Sequence, residues 1–441
     1  MKSVALHNLG CKVNGYEMDV MQQMLQEKGY TIVPFDGAAD IYVINTCTVT
    51  NIADRKSRQM IHRAKKNNPD AVVVAVGCYV QTGEEAVRKD DAIDLAIGNN
   101  RKKDLIPILE DYLRRRASGG ALCKDADIID INHTDEYEEM TLTKTAEHTR
   151  AYIKIQDGCN QFCSYCIIPY ARGRVRSREE EDVLSEVRGI VQAGYREIVL
   201  TGIHISSYGI DRGSPELLQL LAKLHSIDGL KRIRLGSLEP RIVTEEFAEG
   251  ISAMHKICPH FHLSLQSGCD SVLKRMNRRY DTGEYFRTTE ILRKYYSDPA
   301  ITTDVIVGFP GETEEEFRAT EEFVRKVNFY EMHIFKYSRR QGTVAASMES
   351  QLTEAEKGRR SALLMEAEKQ MSHAYRTSRI GSEAEVLFEE KKEKSGECYW
   401  IGHTPQYVKV AKKVDGTENL GNRIVRGTVT GFLDEDIMLL K

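Results

Sequence analysis

The sequence predicts an α/β protein in three parts. These are an N-terminal doubly wound parallel-sheet domain, a central incomplete (β/α)6 barrel, and a small C-terminal antiparallel β-barrel. Three observations predict it. Short β-type apolar runs alternate with helix-period segments over residues 1–117, and the alternation starts afresh within residues 145–376. The stretch between them, 118–144, is polar, acidic in HTDEYEEM and aperiodic, which predicts a linker. Residues 377–441 are strand-rich with no helical period.

In the first part VALHN reads as a strand, NGYEMDVMQQMLQEKG as a helix, and ADIYVIN as a strand. The helix ADRKSRQMIHRAKKN, the strand AVVVAV and the strand-like DLAIG follow, and the pattern ends near LRRRASGG. The first three strong strands each run into a cysteine: Cys11 in NLGCKVN, Cys47 in NTCTV and Cys78 in VGCYV. Carboxyl ends of strands line the ligand crevice of open α/β sheets. The three thiols are therefore expected to converge. The plain alternative is three buried core cysteines.

In the second part AYIKIQ leads into GCNQFCSYC, and a helix runs from about Glu179 to Ala193. EIVLTG, KRIRLGS, HFHLSLQ, TTDVIVGFPG and EMHIFKY complete six strand units, as in an incomplete β/α barrel whose chemistry sits in the loops after its strands. A helix from about Thr353 to Ser378 leads to the tail pieces AEVLFEE, YWIGHTPQYVKVA, RIVRGTVTGF and DIMLL.

Cys159, Cys163 and Cys166 have C-x3-C-x2-C spacing. Three thiolates are one short of a closed structural zinc site. They suit a 4Fe–4S cluster with one iron left open to bind and reduce a small molecule. The segments TGIH, GSLEP, LQSG and VIVGFPGET also end strands at the same barrel mouth and place small or polar groups there.

The bulk properties bound the setting. A chain of 441 residues suggests two to three domains, and 41% hydrophobic with 29% charged content is that of a soluble globular protein. Ten cysteines are too dilute for a disulfide scaffold, and neither a signal-peptide core nor a membrane-length apolar run is visible. Reducing cytoplasm and no membrane partner are expected. A net charge of −4 argues against a protein that coats nucleic acid. Basic residues are nevertheless bunched in Arg55–Lys66, Arg114–Arg116 and Lys274–Arg279, and in ARGRVRSR beside the cysteine triplet; the tail is not basic overall. No internal repeat and no P-loop are present.

GCNQFCSYC followed by IIPYARGRVRSR resembles the radical S-adenosylmethionine superfamily, specifically its methylthiotransferase branch. HFHLSLQSGCDSVLKRMNRRY and DVIVGFPGET resemble the core motifs of that branch, and the tail resembles its RNA-binding TRAM domain. NLGCKVNGYE is most similar to the subfamily acting on N6-threonylcarbamoyladenosine in tRNA, although Gly15 stands where glutamine is expected.

The resemblance implies two 4Fe–4S clusters and two S-adenosylmethionine molecules per turnover. One cluster, on Cys159, Cys163 and Cys166, would generate a 5′-deoxyadenosyl radical. The other, on Cys11, Cys47 and Cys78, would carry or donate the sulfur. The product would be a methylthio group on C2 of the modified adenosine at tRNA position 37. An electron donor such as flavodoxin or ferredoxin is implied as a partner. Gly202, Ser237, Glu239, Gln266 and Gly308 are expected to hold the adenosylmethionine. Arg172, Arg174 and Arg176 are candidates for phosphate or substrate-carboxylate contacts, with local salt-bridging as the alternative. Cys123, Cys258, Cys269 and Cys398 read as structural, and His204 as polar support. Two other substrates, isopentenyladenosine tRNA and a ribosomal protein, stay open at this level, as does a non-catalytic iron–sulfur RNA-binding protein.

Overall fold

Six strands near the N-terminus form one parallel sheet in the order β2-β1-β3-β4-β5-β6. They are β1 (Ser3–Asn8), β2 (Thr31–Val33), β3 (Ile41–Thr46), β4 (Val72–Gly77), β5 (Leu95–Ile97) and β6 (Asp125–Asp127). IYVINT and VVVAVG are buried along their whole length, as central strands covered on both faces must be. Helix α1 (Lys12–Glu27) follows β1 and α2 (Asn51–Asn67) follows β3. The Thr50 hydroxyl caps α2 by accepting from the Ala53 N–H at 3.1 Å. A short helix, α3 (Cys78–Thr82), begins directly at the end of β4. The computed structural model describes residues 2–118, 125–143, 149–415 and 417–441.

The described part of the stretch expected as a linker, residues 125–143, is partly packed. Asp125–Asp127 is the sixth strand, and Ile131, Met140 and Leu142 are buried. Its acidic character misled the sequence reading, because Glu138 is itself buried, 4.0 Å from the buried Lys102 ammonium. Cys123 lies outside the described residues.

The central part contains β7 (Arg150–Asp157), β8 (Arg176–Ser177), β9 (Glu197–Gly202), β10 (Arg232–Leu235), β11 (His260–His262), β12 (Ala300–Val307) and β13 (Glu331–Lys336). The six strand units read from sequence are all present. β7, β9 and β10 pair in parallel, as do β11, β12 and β13. Parallel bridges at Ile233–Ile257 and Leu238–Leu263 join the two groups into one curved sheet. The added β8 runs antiparallel beside the end of β7. Ala151, Ile153, Ile155, Ile198, Leu200, Ile233 and Leu235 face the helices in the main core. The intervening positions carry Tyr152, Lys154 and Gln156 on β7 and Arg232 and Arg234 on β10. The helix Glu354–Thr377 packs against β13.

The tail closes into a barrel in the order β14-β15-β16-β18-β17. Its strands are β14 (Glu383–Lys394), β15 (Glu397–His403), β16 (Lys409–Val414), β17 (Ile424–Phe432) and β18 (Met438–Leu440). It is not wholly antiparallel, since β16 and β18 pair in parallel. A closed ring of five strands cannot alternate direction everywhere, so one parallel pair is unavoidable. The domain docks through its β15–β16 turn. Arg232 donates to His403 O at 3.0 Å, and Arg234 donates to Pro405 O at 2.8 Å. The Tyr407 ring stacks on His403 and lies 4.9 Å and 4.7 Å from the Arg150 and Arg234 guanidiniums.

Candidate active site

Cys11, Cys47 and Cys78 follow β1, β3 and β4, which are neighbours in the sheet. Topology therefore brings together thiols that are 36 and 31 residues apart in sequence. Gly10 allows the approach. Its φ is +108°, and a Cβ there would stand 3.2 Å from the Cys47 Sγ. Cys11 caps the N-terminus of α1, where the helix dipole favours an anionic sulfur. Crowding in this recess pushes the Cys11 thiol up, and burial followed by the neighbouring Cys78 pushes Cys47 up to about 11. Both of these thiols are thus held in the protonated form, and a metal must displace their protons to bind.

Amides surround this set. Asn14 donates to Leu9 O at 2.8 Å and Thr46 O at 3.1 Å, tying the two loops, and its Oδ1 lies 3.6 Å from the Cys11 Sγ. Asn99 Nδ2 lies 3.5 Å from the Cys78 Sγ and donates to Ala171 O at 2.7 Å. Ala171 belongs to the short helix Ile168–Arg172, which begins two residues after Cys166. One short helix therefore separates the two cysteine sets.

The second set lies in the loop between β7 and that helix. Gly158, at φ +72°, opens the loop, and a Cβ there would lie 1.7 Å from Arg174 O. Cross-links hold the loop in shape. Cys159 N donates to Gly173 O, Ser164 N to Met276 O, Asn277 Nδ2 to Phe162 O and Ala345 N to Ser164 O. All three thiols are partly accessible. Burial raises Cys159 to about 11 and Cys166 to about 12. Arg278 points its Nη1 at the Cys163 Sγ, 3.3 Å away. Burial works against the Arg278 charge, but Tyr280, Tyr165 and Cys163 hold it protonated.

The three candidate arginines separate. Arg172 and Arg176 are corrected from ligand contacts to internal supports. Arg172 is fully buried, with Nη1 2.8 Å from Glu17 Oε1 and 3.1 Å from Asp157 Oδ2, and Nη2 2.7 Å from Asn14 Oδ1. Arg176 is buried and donates to the carbonyls of Arg174 and Arg172. Arg174 alone is exposed, its guanidinium 4.5 Å from the Phe162 ring.

Gly202, Ser237, Glu239, Gln266 and Gly308 all lie at or just beyond the carboxyl ends of barrel strands, on the rim that carries the cysteine loop. Glu239 is buried and accepts from Arg241 at 3.0 Å. Gln266 has φ +70° and bridges to Val305. At Gly308 a Cβ would meet the Lys357 side chain at 2.4 Å, so packing against the helix Glu354–Thr377 already requires a glycine there. His204 hydrogen-bonds Ser207 at 2.7 Å, and burial lowers its pKa to about 4. Cys258 is buried, and Cys269 and Cys398 are partly so. Between α2 and the segment Arg339–Gly342 lies an open cleft of about 1000 Å³, lined also by Tyr79, Ile167 and Tyr170, neighbours of both cysteine sets.

Asn14, Asn99, Glu17, Asp157 and Arg278 escaped the sequence reading. Arg278 was visible only as one of a basic group. The amides carried no signal, since their work is to reach groups distant in sequence.

Residues 153–324 match the Radical SAM superfamily, and residues 3–98 match the uncharacterized protein family UPF0004. The threonylcarbamoyladenosine tRNA methylthiotransferase MtaB of Bacillus subtilis is 41% identical, over 97% of this chain and 93% of that protein. The chain belongs to the radical S-adenosylmethionine methylthiotransferase family. The MtaB of Aquifex aeolicus is 39% identical, over 93% of this chain and 98% of its own length. The tRNA-2-methylthio-N(6)-dimethylallyladenosine synthase of Carboxydothermus hydrogenoformans is 35% identical, over 97% of both chains. Among solved structures, the radical S-adenosylmethionine methyltransferase TsrM of Kitasatospora setae, with cobalamin and a 4Fe-4S cluster bound, aligns with TM-score 0.54 at 15% identity. The alignment covers 76% of this chain and 72% of TsrM and shows a shared fold.

A radical S-adenosylmethionine methylthiotransferase uses S-adenosylmethionine and a 4Fe–4S cluster. The loop Cys159–Cys166 fits the cluster: three thiols held by backbone cross-links, partly accessible, with one guanidinium beside them to favour thiolate. No helix among the described residues is long and apolar enough to cross a membrane.

Proposed function

We propose that this chain is a tRNA methylthiotransferase that adds a methylthio group to C2 of N6-threonylcarbamoyladenosine at position 37. The observation that carries the proposal is the meeting of Cys11, Cys47 and Cys78 at three adjacent strand ends, one short helix from Cys166. Cys159, Cys163 and Cys166 hold one cluster, and Cys11, Cys47 and Cys78 hold a second 4Fe–4S cluster. The threonylcarbamoyladenosine relatives, at 41% and 39% identity over nearly the full length, support this substrate.

C2–H of adenine is neither acidic nor electrophilic, so acid–base side chains cannot activate it. When bound, the clusters and two S-adenosylmethionine molecules supply the methyl group, the sulfur handling and the hydrogen abstraction, with electrons from a flavodoxin or ferredoxin. The chain orients the reactants. Gly202, Ser237, Glu239, Gln266 and Gly308 border S-adenosylmethionine at the mouth, and the exposed Arg174 meets RNA phosphate. Asn14 and Asn99 steady the two loops that present Cys11 and Cys78. The C-terminal barrel serves as a TRAM-like RNA-binding module, and the enzyme works in the cytoplasm.

The test is anaerobic reconstitution with dithionite, S-adenosylmethionine and tRNA carrying threonylcarbamoyladenosine, followed by nucleoside mass spectrometry. The expected product is 2-methylthio-N6-threonylcarbamoyladenosine. Absence of 5′-deoxyadenosine from a protein with intact clusters would refute the reading. Cys11→Ala, Cys47→Ala and Cys78→Ala are expected to abolish methylthiolation while retaining some cofactor cleavage. Full product from any of the three would remove the second cluster from the proposal.

A further inference from the structure

Nothing assigned above uses the cleft between α2 and the segment Arg339–Gly342. Residues next to both cysteine sets line it. Tyr79 directly follows Cys78, Ile167 directly follows Cys166, and Tyr170 lies in the short helix Ile168–Arg172. The cleft volume of about 1000 Å³ is at the upper end of the roughly 300–1000 Å³ that encloses a drug-sized molecule.

Charge in the cleft is not balanced. Its carboxylates are paired: Asp54 with Arg340 at 2.7 Å, Glu84 with Arg88 at 2.8 Å and Glu85 with Lys89 at 2.5 Å. Two of its arginines have no such partner. Arg58, exposed on α2, forms no ion pair among the described residues, and its guanidinium lies 5.8 Å from the Tyr79 ring. Arg339, also exposed, donates its Nε to Ala346 O at 2.7 Å and forms no ion pair among the described residues. The Asn51 side chain ties the two walls together by donating to Arg339 O at 3.0 Å. The cleft therefore carries surplus positive charge on a fixed frame.

Aromatic groups continue this surface toward the cysteine loop. Tyr170 is 43% exposed, the Phe162 ring lies edge-on to it at 6.1 Å, and the Arg174 guanidinium lies 4.5 Å from Phe162. Phe162 keeps its place at φ +50°, a left-handed conformation uncommon for an aromatic residue, with its carbonyl held by Asn277 Nδ2 at 2.9 Å. Unpaired guanidiniums interleaved with accessible rings suit single-stranded nucleic acid. The cations meet phosphates, and the rings take unstacked bases.

We propose that this cleft receives the anticodon loop of the tRNA, with Tyr170 as a stacking platform and Arg58 and Arg339 as phosphate contacts. The inference rests on the tRNA reading above and names the surface that seats the loop. A folded electron-donor protein presents a convex face that cannot fill such a cleft, whereas splayed loop nucleotides can.

The test uses the reconstituted full-length enzyme and an anticodon stem-loop carrying N6-threonylcarbamoyladenosine. Fluorescence anisotropy gives Kd over a range of salt concentrations. Tyr170→Ala is expected to weaken binding about fivefold or more at every salt concentration, with the salt dependence unchanged. Arg58→Gln and Arg339→Gln are each expected to weaken binding and to reduce the slope of log Kd against log salt by about one. Arg114→Gln is the control. Its neighbour Arg116 donates to Asp70 O at 2.8 Å, ahead of β4, so this basic group sits at the opposite end of the sheet from the cysteines. Its loss should leave Kd unchanged. Wild-type Kd and slope in all three cleft variants would overturn the inference and leave the methylthiotransferase reading intact. Unaltered RNA binding with slower reduction of the clusters by reduced flavodoxin would also overturn it, and would make the cleft a protein dock. A wild-type enzyme that neither binds nor thiolates this stem-loop would overturn the substrate reading and this inference together. Iron content and thermal melting confirm that each variant is folded, and Tyr170→Leu replaces Tyr170→Ala if that variant is not.

Discussion

Arg172 sits where two domains and two cysteine sets meet, and its partners show why it cannot be spared. Glu17 and Asp157 are buried carboxylates, and Arg172 shares them with Lys102 and Lys154. Burial opposes the Glu17 charge, yet Arg172, Lys102 and Lys154 together hold its carboxyl well below the usual range. Removing one member of such a network strands the others without solvent. Arg172→Met is expected to cost about 3–5 kcal/mol, measured as a fall in the denaturation midpoint of the metal-free protein. Arg174→Met removes only an exposed head group and is expected to change stability by less than about 0.5 kcal/mol. Equal losses from the two would contradict the division between an internal support and a surface contact.

At the scale of elements, the cysteine loop depends on a backbone that an L side chain cannot enter. A Cβ on Gly158 would overlap the carbonyl of Arg174, just beyond the short helix Ile168–Arg172 into which the loop leads. Gly158→Ala is therefore expected to lower iron incorporation at the second cysteine set. Gly189→Ala, in the helix Glu180–Gln192 with open space around it, is expected to be neutral or to stabilise by up to about 1 kcal/mol. Iron per chain and thermal melting on both variants separate a loop defect from general unfolding. Elements of this kind were largely legible in the sequence. Apolar runs such as VVVAVG announce buried parallel strands, and three strand ends meeting cysteines announced the first set. Pairing partners were less legible: DAD gave no strand signal because β6 is a three-residue edge strand fixed by its neighbour β5. Glu138 looked solvated because an acidic letter does not show that Lys102 awaits it. In ARGRVRSR the exposed Arg174 and the buried Arg172 and Arg176 are the same letter, and only the tertiary structure divides them.

At the scale of the whole molecule, the barrel is sealed by neutral histidines as well as by ion pairs, which makes its stability depend on pH. Burial, then Arg278, lowers His204 to about 4. Its Nε2 is buried with no hydrogen-bond partner among the described residues, so a proton there would be an unsatisfied donor. His260, under Tyr407 at the docking face of the C-terminal barrel, is lowered in the same direction by burial and then by Arg234. Unfolding returns each ring to water, where its pKa is near 6.5. Between pH 6.5 and 4 the unfolded chain therefore binds more protons than the folded one, and stability falls as pH falls. A shift from about 6.5 to about 4 corresponds to roughly 3 kcal/mol for His204, present in full above pH 6.5 and lost through that window. Urea unfolding of the metal-free protein between pH 7.5 and 5 should show this slope, and His204→Asn should flatten it. Because the same slope includes His260, the double variant with His260→Leu should flatten it further. A slope unchanged in both variants would assign the acid sensitivity to the carboxylate networks instead.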